Sequence, residues 1–121
     1  MLNNPSTAEL TFKVVRGLKP HQFSVECTKN PATDYTSFII NHDRIGSEMD
    51  VVLEVFDTSG RMLYRHSETG VSTDQTYTLN WDLTVEGGSR LRTGVYLYRV
   101  LISSDGSKQV SQAKKLIILK N

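Results

Sequence analysis

Apolar and polar residues alternate along most of this chain with a period of two, which is the spacing of a β-strand. At this spacing the side chains of Val51, Leu53 and Val55 would share one face of a strand. Short runs rich in Val, Ile, Thr and Tyr recur between clusters of Gly, Asn, Asp and Pro, a pattern typical of all-β proteins. The predicted strands are Ala8–Arg16, Gln22–Thr28, Thr36–His42, Met49–Asp57, Arg61–Ser67, Thr76–Leu83, Gly94–Ser103 and Val110–Leu119.

Turn signals between these runs favour antiparallel pairing. Asp57-Thr58-Ser59-Gly60 predicts a tight hairpin, because Asp favours the first turn position and Gly takes a positive φ at its end. Asp105-Gly106 predicts a second turn that returns Val110–Leu119 alongside Gly94–Ser103. We therefore predict an immunoglobulin-like antiparallel β-sandwich of about seven strands, preceded by an extra N-terminal strand. Its core is expected to come from Val51, Leu53, Val55, Tyr77, Leu79, Trp81, Tyr96, Tyr98, Val100 and Ile102.

The segment Gly17-Leu18-Lys19-Pro20 divides the first predicted strand from the rest. Gly and Pro end one element before the next begins, so we interpret it as a linker. This linker separates residues 1–19 from residues 20–121, which are predicted to form the sandwich domain. A strand cut off from its parent sheet must pair elsewhere, so Ala8–Arg16 predicts a homodimer with a neighbouring copy.

Composition narrows the function classes. The 121 residues carry 14 Lys and Arg against 13 Asp and Glu, and the two signs are interspersed, so the chain offers no basic stripe for nucleic acid. No apolar run approaches the ~20 residues of a membrane-spanning helix, and residues 1–5 lack the features of a signal peptide. We expect no nucleic-acid partner and no direct insertion into a membrane.

The single cysteine, Cys27, cannot form an internal disulfide. With His21 or His42 it could form a thiol nucleophile and its base. Phe23, Val25 and Cys27 share one strand face, however, which favours a buried structural thiol. His42-Asp43 lacks the further convergent groups of a metal or acid-base site, so we expect no catalytic residue.

Other motifs are better explained by turns and packing. Asp57-Thr58-Ser59-Gly60 offers oxygen ligands but lacks the further acidic positions of a calcium loop. Gly87-Gly88 is followed by no Lys-Ser/Thr pair and opens no helix that would bind phosphate. We expect no metal and no cofactor. Aromatic side chains on the strands, with Tyr35 and Tyr64, leave a carbohydrate-binding module as an alternative to core packing.

The last predicted strand is flanked by lysines. Another protein could engage such a strand through its backbone, or the strand could be covered, with the lysines guarding against aggregation. Both interpretations stay open at the sequence level. The candidate binding and sorting residues are Lys114, Lys115, Leu116, Ile117, Ile118 and Leu119.

Several blocks resemble the flagellar hook-capping type of immunoglobulin-like domain, which also occurs in C-terminal sorting domains of the type IX secretion system. The motif positions are Asp57, Gly60, Trp81, Asp82, Gly94, Tyr96 and Tyr98, with Asn30-Pro31-Ala32 and Lys114-Lys115-Leu116-Ile117 at the two ends. More specifically, Phe38-Ile39-Ile40-Asn41-His42-Asp43-Arg44 and Ala113-Lys114-Lys115-Leu116-Ile117 resemble the PorU-like sortases, the gingipain-like C-terminal signal peptidases of that system. Residues 3–12 resemble the closing strand of the domain that precedes the C-terminal domain in those sortases, which implies that residues 1–19 are that closing strand plus the linker. The chain departs from the pattern at Lys29 and Ile45, where the family often has Pro.

The resemblance implies a division of labour. In PorU-like sortases the catalytic Cys and His belong to an upstream protease domain, so Cys27 is not that nucleophile. The C-terminal domain directs passage across the outer membrane and keeps the protein at the cell surface of a Gram-negative bacterium, with a PorV-like outer-membrane shuttle protein and the secretion machinery as partners. An alternative within the same fold is a cargo tail that is cleaved on export.

Overall fold

The computed structural model describes residues 23–104 and 106–119. The predicted strand Ala8–Arg16, the linker after it, the boundary between the two predicted domains and the proposed dimer contact lie outside those residues. Within them, no helix has the length and apolar character needed to cross a bilayer.

In the part of the chain that the structure describes, eight strands form two antiparallel sheets, and one short 3-10 helix precedes the sixth strand. A three-stranded sheet has the order β1-β2-β5, and a five-stranded sheet has the order β4-β3-β6-β7, with β8 also paired to β6. The predicted all-β sandwich is thus confirmed. The elements are β1 Phe23–Cys27, β2 Thr36–His42, β3 Glu48–Phe56, β4 Met62–Val71, β5 Thr76–Trp81, the 3-10 helix Glu86–Gly88, β6 Gly94–Ser104, β7 Ser107–Val110 and β8 Lys114–Ile118.

The core lies between the two sheets and follows the predicted alternation. Phe38 from β2 packs against Tyr98 from β6, with ring centroids 4.8 Å apart, and this contact joins the sheets at their centres. Of the predicted core residues, Tyr77 and Tyr96 are only partly buried. Trp81 is buried but lies on an edge strand, where Tyr64 stacks on its ring. The fully or nearly fully buried apolar residues are Val25, Ala32, Phe38, Ile40, Met49, Val51, Leu53, Val55, Leu79, Trp81, Leu83, Tyr98, Val100, Ile102, Leu116 and Ile118.

The prediction of one continuous strand over Val110–Leu119 is wrong. The segment forms two strands, β7 and β8, which pair with successive parts of β6. Between them, the three residues 111–113 lie opposite only two residues of β6, which is a one-residue bulge. Ser111 anchors the bulge, since its hydroxyl accepts the amide of Val100 at 2.9 Å. Because side chains alternate, the extra residue turns Leu116 and Ile118 toward the core.

The predicted turns form where the motifs place them. Gly60 and Gly106 both have positive φ, at +93° and +77°, and Ser104 pairs with Ser107 across the second turn. Strand β4 extends to Val71, beyond the predicted end at Ser67. At Gly70 the lack of a side chain admits the Tyr77 ring, since a Cβ there would come within 2.8 Å of it.

Two buried polar residues, His42 and Arg44, lie at the end of β2 and just beyond it. Arg44 donates hydrogen bonds to Ser104, Ser107 and Gln109, so it ties this loop to the β6–β7 turn. The backbone N–H of Arg44 also donates to Nδ1 of His42 at 3.0 Å. Burial lowers the pKa of His42 below 6.5, although the carboxylates of Asp43 and Asp74 oppose that shift.

This burial predicts a pH-dependent stability. The native pKa of His42 lies below the unfolded value of about 6.5, so below that pH the unfolded chain binds more protons. The stabilisation is therefore complete above about pH 6.5 and is lost as the pH falls toward the native pKa. We expect the free energy of unfolding, from urea titrations, to fall between about pH 7.5 and about pH 5.5, and His42→Asn to flatten that slope. Equal slopes in both proteins would contradict this assignment.

Candidate functional site

The two faces of β8 differ sharply. Leu116 and Ile118 are completely buried against the core, whereas Lys115 is exposed and Ile117 is half-buried on the outer face of the five-stranded sheet. Lys114 lies on the inward side, and its ammonium group donates to the carbonyl of Val25 in the opposite sheet at 3.3 Å. Two of the predicted sorting residues are thus core residues, and only the others are accessible to a partner in the folded domain.

The free edge of β8 is covered by residues 30–32. The Asn30 side chain donates to the carbonyl of Lys115 at 2.8 Å and accepts the amide of Ile117 at 2.9 Å. Ala32 continues the pairing as a parallel bridge, donating to the Ile117 carbonyl and accepting the amide of Leu119, both at 2.8 Å. The segment from Asn30 to Ala32 therefore closes the edge as a further strand would.

This closure decides between the two interpretations of the lysine-flanked strand. Strand addition requires unpaired backbone groups at an edge. On β8 the outward groups of Lys115, Ile117 and Leu119 are already bonded to residues 30–32. A partner that reads the backbone of β8 would have to displace Asn30 and Ala32 first. Side chains on the outer face need no such rearrangement.

The motif residues of the β3–β4 turn hold the backbone. Asp57 accepts hydrogen bonds through one carboxylate oxygen from the amides of Ser59 and Arg61, at 3.0 and 2.9 Å, and from the Ser59 hydroxyl at 2.6 Å. The hydroxyl bond is the main reason that the pKa of Asp57 lies below its ordinary value. Gly60 completes the turn with its positive φ. These contacts make the motif a structural turn.

The remaining motif residues also hold the framework. Asp82 accepts the amide and the hydroxyl of Thr84, at 3.1 and 2.5 Å, and the hydroxyl bond chiefly lowers the pKa of Asp82. The indole of Trp81 donates to the Thr84 carbonyl at 2.8 Å. Near the start of β6, Tyr96 packs over Gly94 and donates to the Arg92 carbonyl at 2.8 Å. A tyrosine hydroxyl bonded to backbone a few residues upstream is a recurring feature of immunoglobulin-like sandwiches.

The candidate nucleophile Cys27 and the candidate base His42 are not brought together, and the other candidate base, His21, lies outside the described residues. In the register of β1 and β2, His42 lies opposite Phe23 at one end, while Cys27 lies opposite Phe38 near the other. Cys27 is partly buried and contacts the Thr36 hydroxyl at 3.1 Å, which agrees with a structural thiol. Among the residues the structure describes, no group of three or more His, Cys, Asp or Glu side chains could hold a metal ion.

Tyr35, Tyr64 and Trp81 are among the aromatic residues that could form a carbohydrate-binding site. They border one cleft, about 400 Å³ in volume, between β4 and β5. Tyr64 stacks on Trp81 with centroids 5.4 Å apart and lies parallel to His66 at 6.4 Å. The ammonium group of Lys29 lies 5.0 Å from the centre of the Tyr35 ring. Internal contacts thus already occupy ring surface on both tyrosines, and no observation favours a sugar over packing.

Sequence reasoning missed the role of Asn30. The Asn-Pro-Ala block enters as a family motif only, and a polar residue in a loop carries no hydrophobic period that would mark it as a strand partner. Its distance of 85 residues in sequence from Lys115 hides the contact further. The motif itself was the available signal, since Asn can donate and accept at once.

The fold and the closed last strand can be compared with known proteins. The chain is similar to the crystal structure of dimeric latent PorU from Porphyromonas gingivalis. The two sequences are 34% identical, the match covers 91% of this chain, and the TM-score is 0.75. The chain is a PorU-like C-terminal domain. It spans only 10% of the PorU chain. This likeness fits a domain of a type IX secretion component.

A second, weaker likeness is to PorZ, described as an essential bacterial surface component of the type IX secretion system of the same organism. It has 22% identity, a TM-score of 0.47, and coverage of 79% of this chain and 11% of that one, so no argument rests on it. No protein-family model matches the chain, and no curated protein matches it either.

The closure predicts that Asn30 protects the edge of β8. Asn30→Ala removes both side-chain hydrogen bonds to the strand, so we expect the amide of Ile117 to exchange with deuterium faster. The global cost should be about 1 kcal/mol, because water can replace the exposed bonds. Hydrogen exchange measured residue by residue by NMR tests this.

A matched control is Asn80→Ala. Asn80 is an exposed asparagine of the three-stranded sheet, where its side chain bonds to Ser37 of the neighbouring strand. The control variant should leave exchange at Ile117 unchanged. Equal exchange at Ile117 in both variants would show that Asn30 does not close the edge.

Proposed function

We propose that this PorU-like domain is the non-catalytic C-terminal domain of a type IX secretion sortase. It directs passage of its parent across the outer membrane and retains that parent at the surface of a Gram-negative cell through protein contacts. The partners in this proposal are the secretion machinery and a PorV-like outer-membrane shuttle protein.

The supporting observation is the 34% identity with PorU over nearly the whole chain, combined with the way the last strand is built. The strand is anchored to both sheets, and its outer side leaves Lys115 and Leu119 exposed. A folded, closed strand with exposed basic and apolar side chains suits recognition by a protein surface. The parent's peptidase chemistry is assigned to other domains in this proposal.

Deleting the last strand would not test this proposal cleanly. Removal of residues 110–121 also removes Leu116 and Ile118, which are fully buried. Truncating one buried Leu or Ile costs about 2 to 5 kcal/mol, so the deletion would unfold the domain whatever its function. Substitutions at exposed positions separate recognition from folding.

Lys115→Glu in the full-length parent is the sharper test. Reversing this exposed charge on β8 should lower the amount of parent at the cell surface by roughly tenfold, the effect of about 1.4 kcal/mol of lost binding. Surface biotinylation followed by quantitative blotting measures the change, with total synthesis measured in parallel.

Glu26→Lys is the control, because it reverses an exposed charge on the outer side of the three-stranded sheet, away from β8. We expect a smaller loss of surface protein for that variant. Unchanged surface display of the Lys115→Glu parent would refute the role of β8 in retention. Mass spectrometry of the displayed protein should find the domain still attached, and its absence would instead indicate a cleaved cargo tail.

A further inference from the structure

The two outer faces of the sandwich differ in chemistry. On the three-stranded sheet, the positions that alternate with the core are mostly hydroxyl, amide and acidic residues, as expected for a sheet that faces water. Ile39 is the exception and is half-buried. The outward positions are Ser24, Glu26, Ser37, Ile39, Asn41, Thr76, Thr78 and Asn80.

About half of the outward positions of the five-stranded sheet are apolar, many more than on the three-stranded sheet. The five-stranded sheet carries large hydrophobic side chains at positions where solvent-facing sheets carry polar ones, and several of them are more than 40% exposed: Met62 at 43%, Val95 at 44%, Val110 at 47% and, just after β8, Leu119 at 42%. The apolar residues of this face are Val52, Phe56, Met62, Val71, Val95, Leu97, Leu101, Val110, Ile117 and Leu119.

Strand β6 carries apolar residues on both of its faces. Tyr98 and Val100 point into the core, while Leu97 and Leu101 on the other side are half-buried on the outer face. Strands that are hydrophobic on both sides occur where both faces of a sheet are covered. Contiguous exposed apolar surface on a soluble domain marks an interaction site. The outer face of the five-stranded sheet therefore has the composition of a covered surface.

A charged row crosses this apolar face. Glu54 is only 6% exposed, and it lies directly between Arg65 and Arg99 in the register of β4, β3 and β6. Its carboxylate accepts the Arg99 Nε–H at 2.5 Å, and the Arg65 Nε lies 3.7 Å away. The Arg99 guanidinium also lies 5.3 Å from the centre of the Phe56 ring. Arginine and aromatic residues together are typical of interface centres.

The charges on this face indicate which kind of partner would bind there. Two arginines share the single buried carboxylate of Glu54, so the row keeps an excess positive charge. Lys108 and Lys115 add two further cations at one side. Glu48 and Asp50 are the other acids on the face, and Asp50 accepts a hydrogen bond from Thr69. The face therefore carries four basic groups against three acidic ones, so a second copy would bring together two surfaces with the same excess charge, which is unfavourable.

We infer that the outer face of the five-stranded sheet docks a different protein, one whose contact surface is apolar and rimmed by carboxylates. The apolar residues supply the buried centre of the contact, and Arg65, Arg99, Lys108 and Lys115 meet the acidic rim. The inference rests on the proposed function, because the face is continuous with Lys115 and Ile117 of β8. It places retention on a sheet face, where a strand-addition mechanism would place it on a sheet edge.

Site-specific photocrosslinking in cells tests this inference on the full-length parent. Benzoylphenylalanine is introduced at Val95, which is exposed on the apolar face, and in a matched control at Thr78, which is exposed on the opposite sheet. After irradiation, mass spectrometry identifies the cross-linked peptides. We expect adducts with another polypeptide from position 95 and none from position 78, with Asp or Glu residues next to the attachment point.

A charge variant adds a second readout. With Arg65→Gln in the same parent, the yield of the adduct from position 95 should fall severalfold, because the acidic rim loses one cation. The inference is overturned if position 95 gives no adduct, if both positions react equally, if the adducts join two copies of the chain or attach to lipid, or if Arg65→Gln leaves the yield unchanged.

Surface display of the same variants separates this inference from the proposed function. Normal display without an adduct at position 95 would contradict the docking face and leave the proposed function standing. Adducts in a parent that never reaches the cell surface would contradict the proposed function and leave the docking face standing.

Discussion

Pairing of β8 on both of its sides is the constraint on which the rest of the domain depends. One side is bonded to β6, at the centre of the five-stranded sheet, and the other to Asn30 and Ala32, in the loop between the first two strands of the three-stranded sheet. Leu116 and Ile118 fill the core from this position. The strand thus ties the sheets together without a disulfide, as a chain with one cysteine must.

The closed edge also determines which parts of β8 a partner can reach. With its edge closed by residues 30–32, β8 presents only its outward side chains, and these continue the apolar face made by β3, β6 and β7. The buried Glu54 between Arg65 and Arg99 gives that face a fixed charge pattern, because the carboxylate holds Arg99 in place. Rigid, preorganised side chains lose less entropy on binding than mobile ones.

The period-two pattern predicted the strands and most of the core, because residues such as Leu79 and Trp81 alternate with polar neighbours. It could not predict the bulge after Val110. Leu116, Ile117, Ile118 and Leu119 are all apolar, so their pattern fits either face, and only the extra residue in the pairing with β6 selects Leu116 and Ile118 for the core.

The candidate site was predicted only in part. The lysines marked the last strand, but its closure depends on Asn30, whose contribution is two hydrogen bonds to backbone far away in sequence. Such a contact leaves no hydrophobic signature. The proposed docking face was hidden for a different reason. The alternation places Leu97 and Leu101 opposite the core positions of β6, but only the register shows that they join apolar residues of other strands on one outer face.

The central claim is that a partner contacts a closed β8 through the outer sheet face. Electron cryomicroscopy of the parent bound to its partner in the outer membrane tests it most directly. The account predicts density over Val95, Leu97 and Ile117, with Asn30 still bonded to Lys115 and Ile117. A partner strand paired with residues 115–119, with Asn30 displaced, would contradict it.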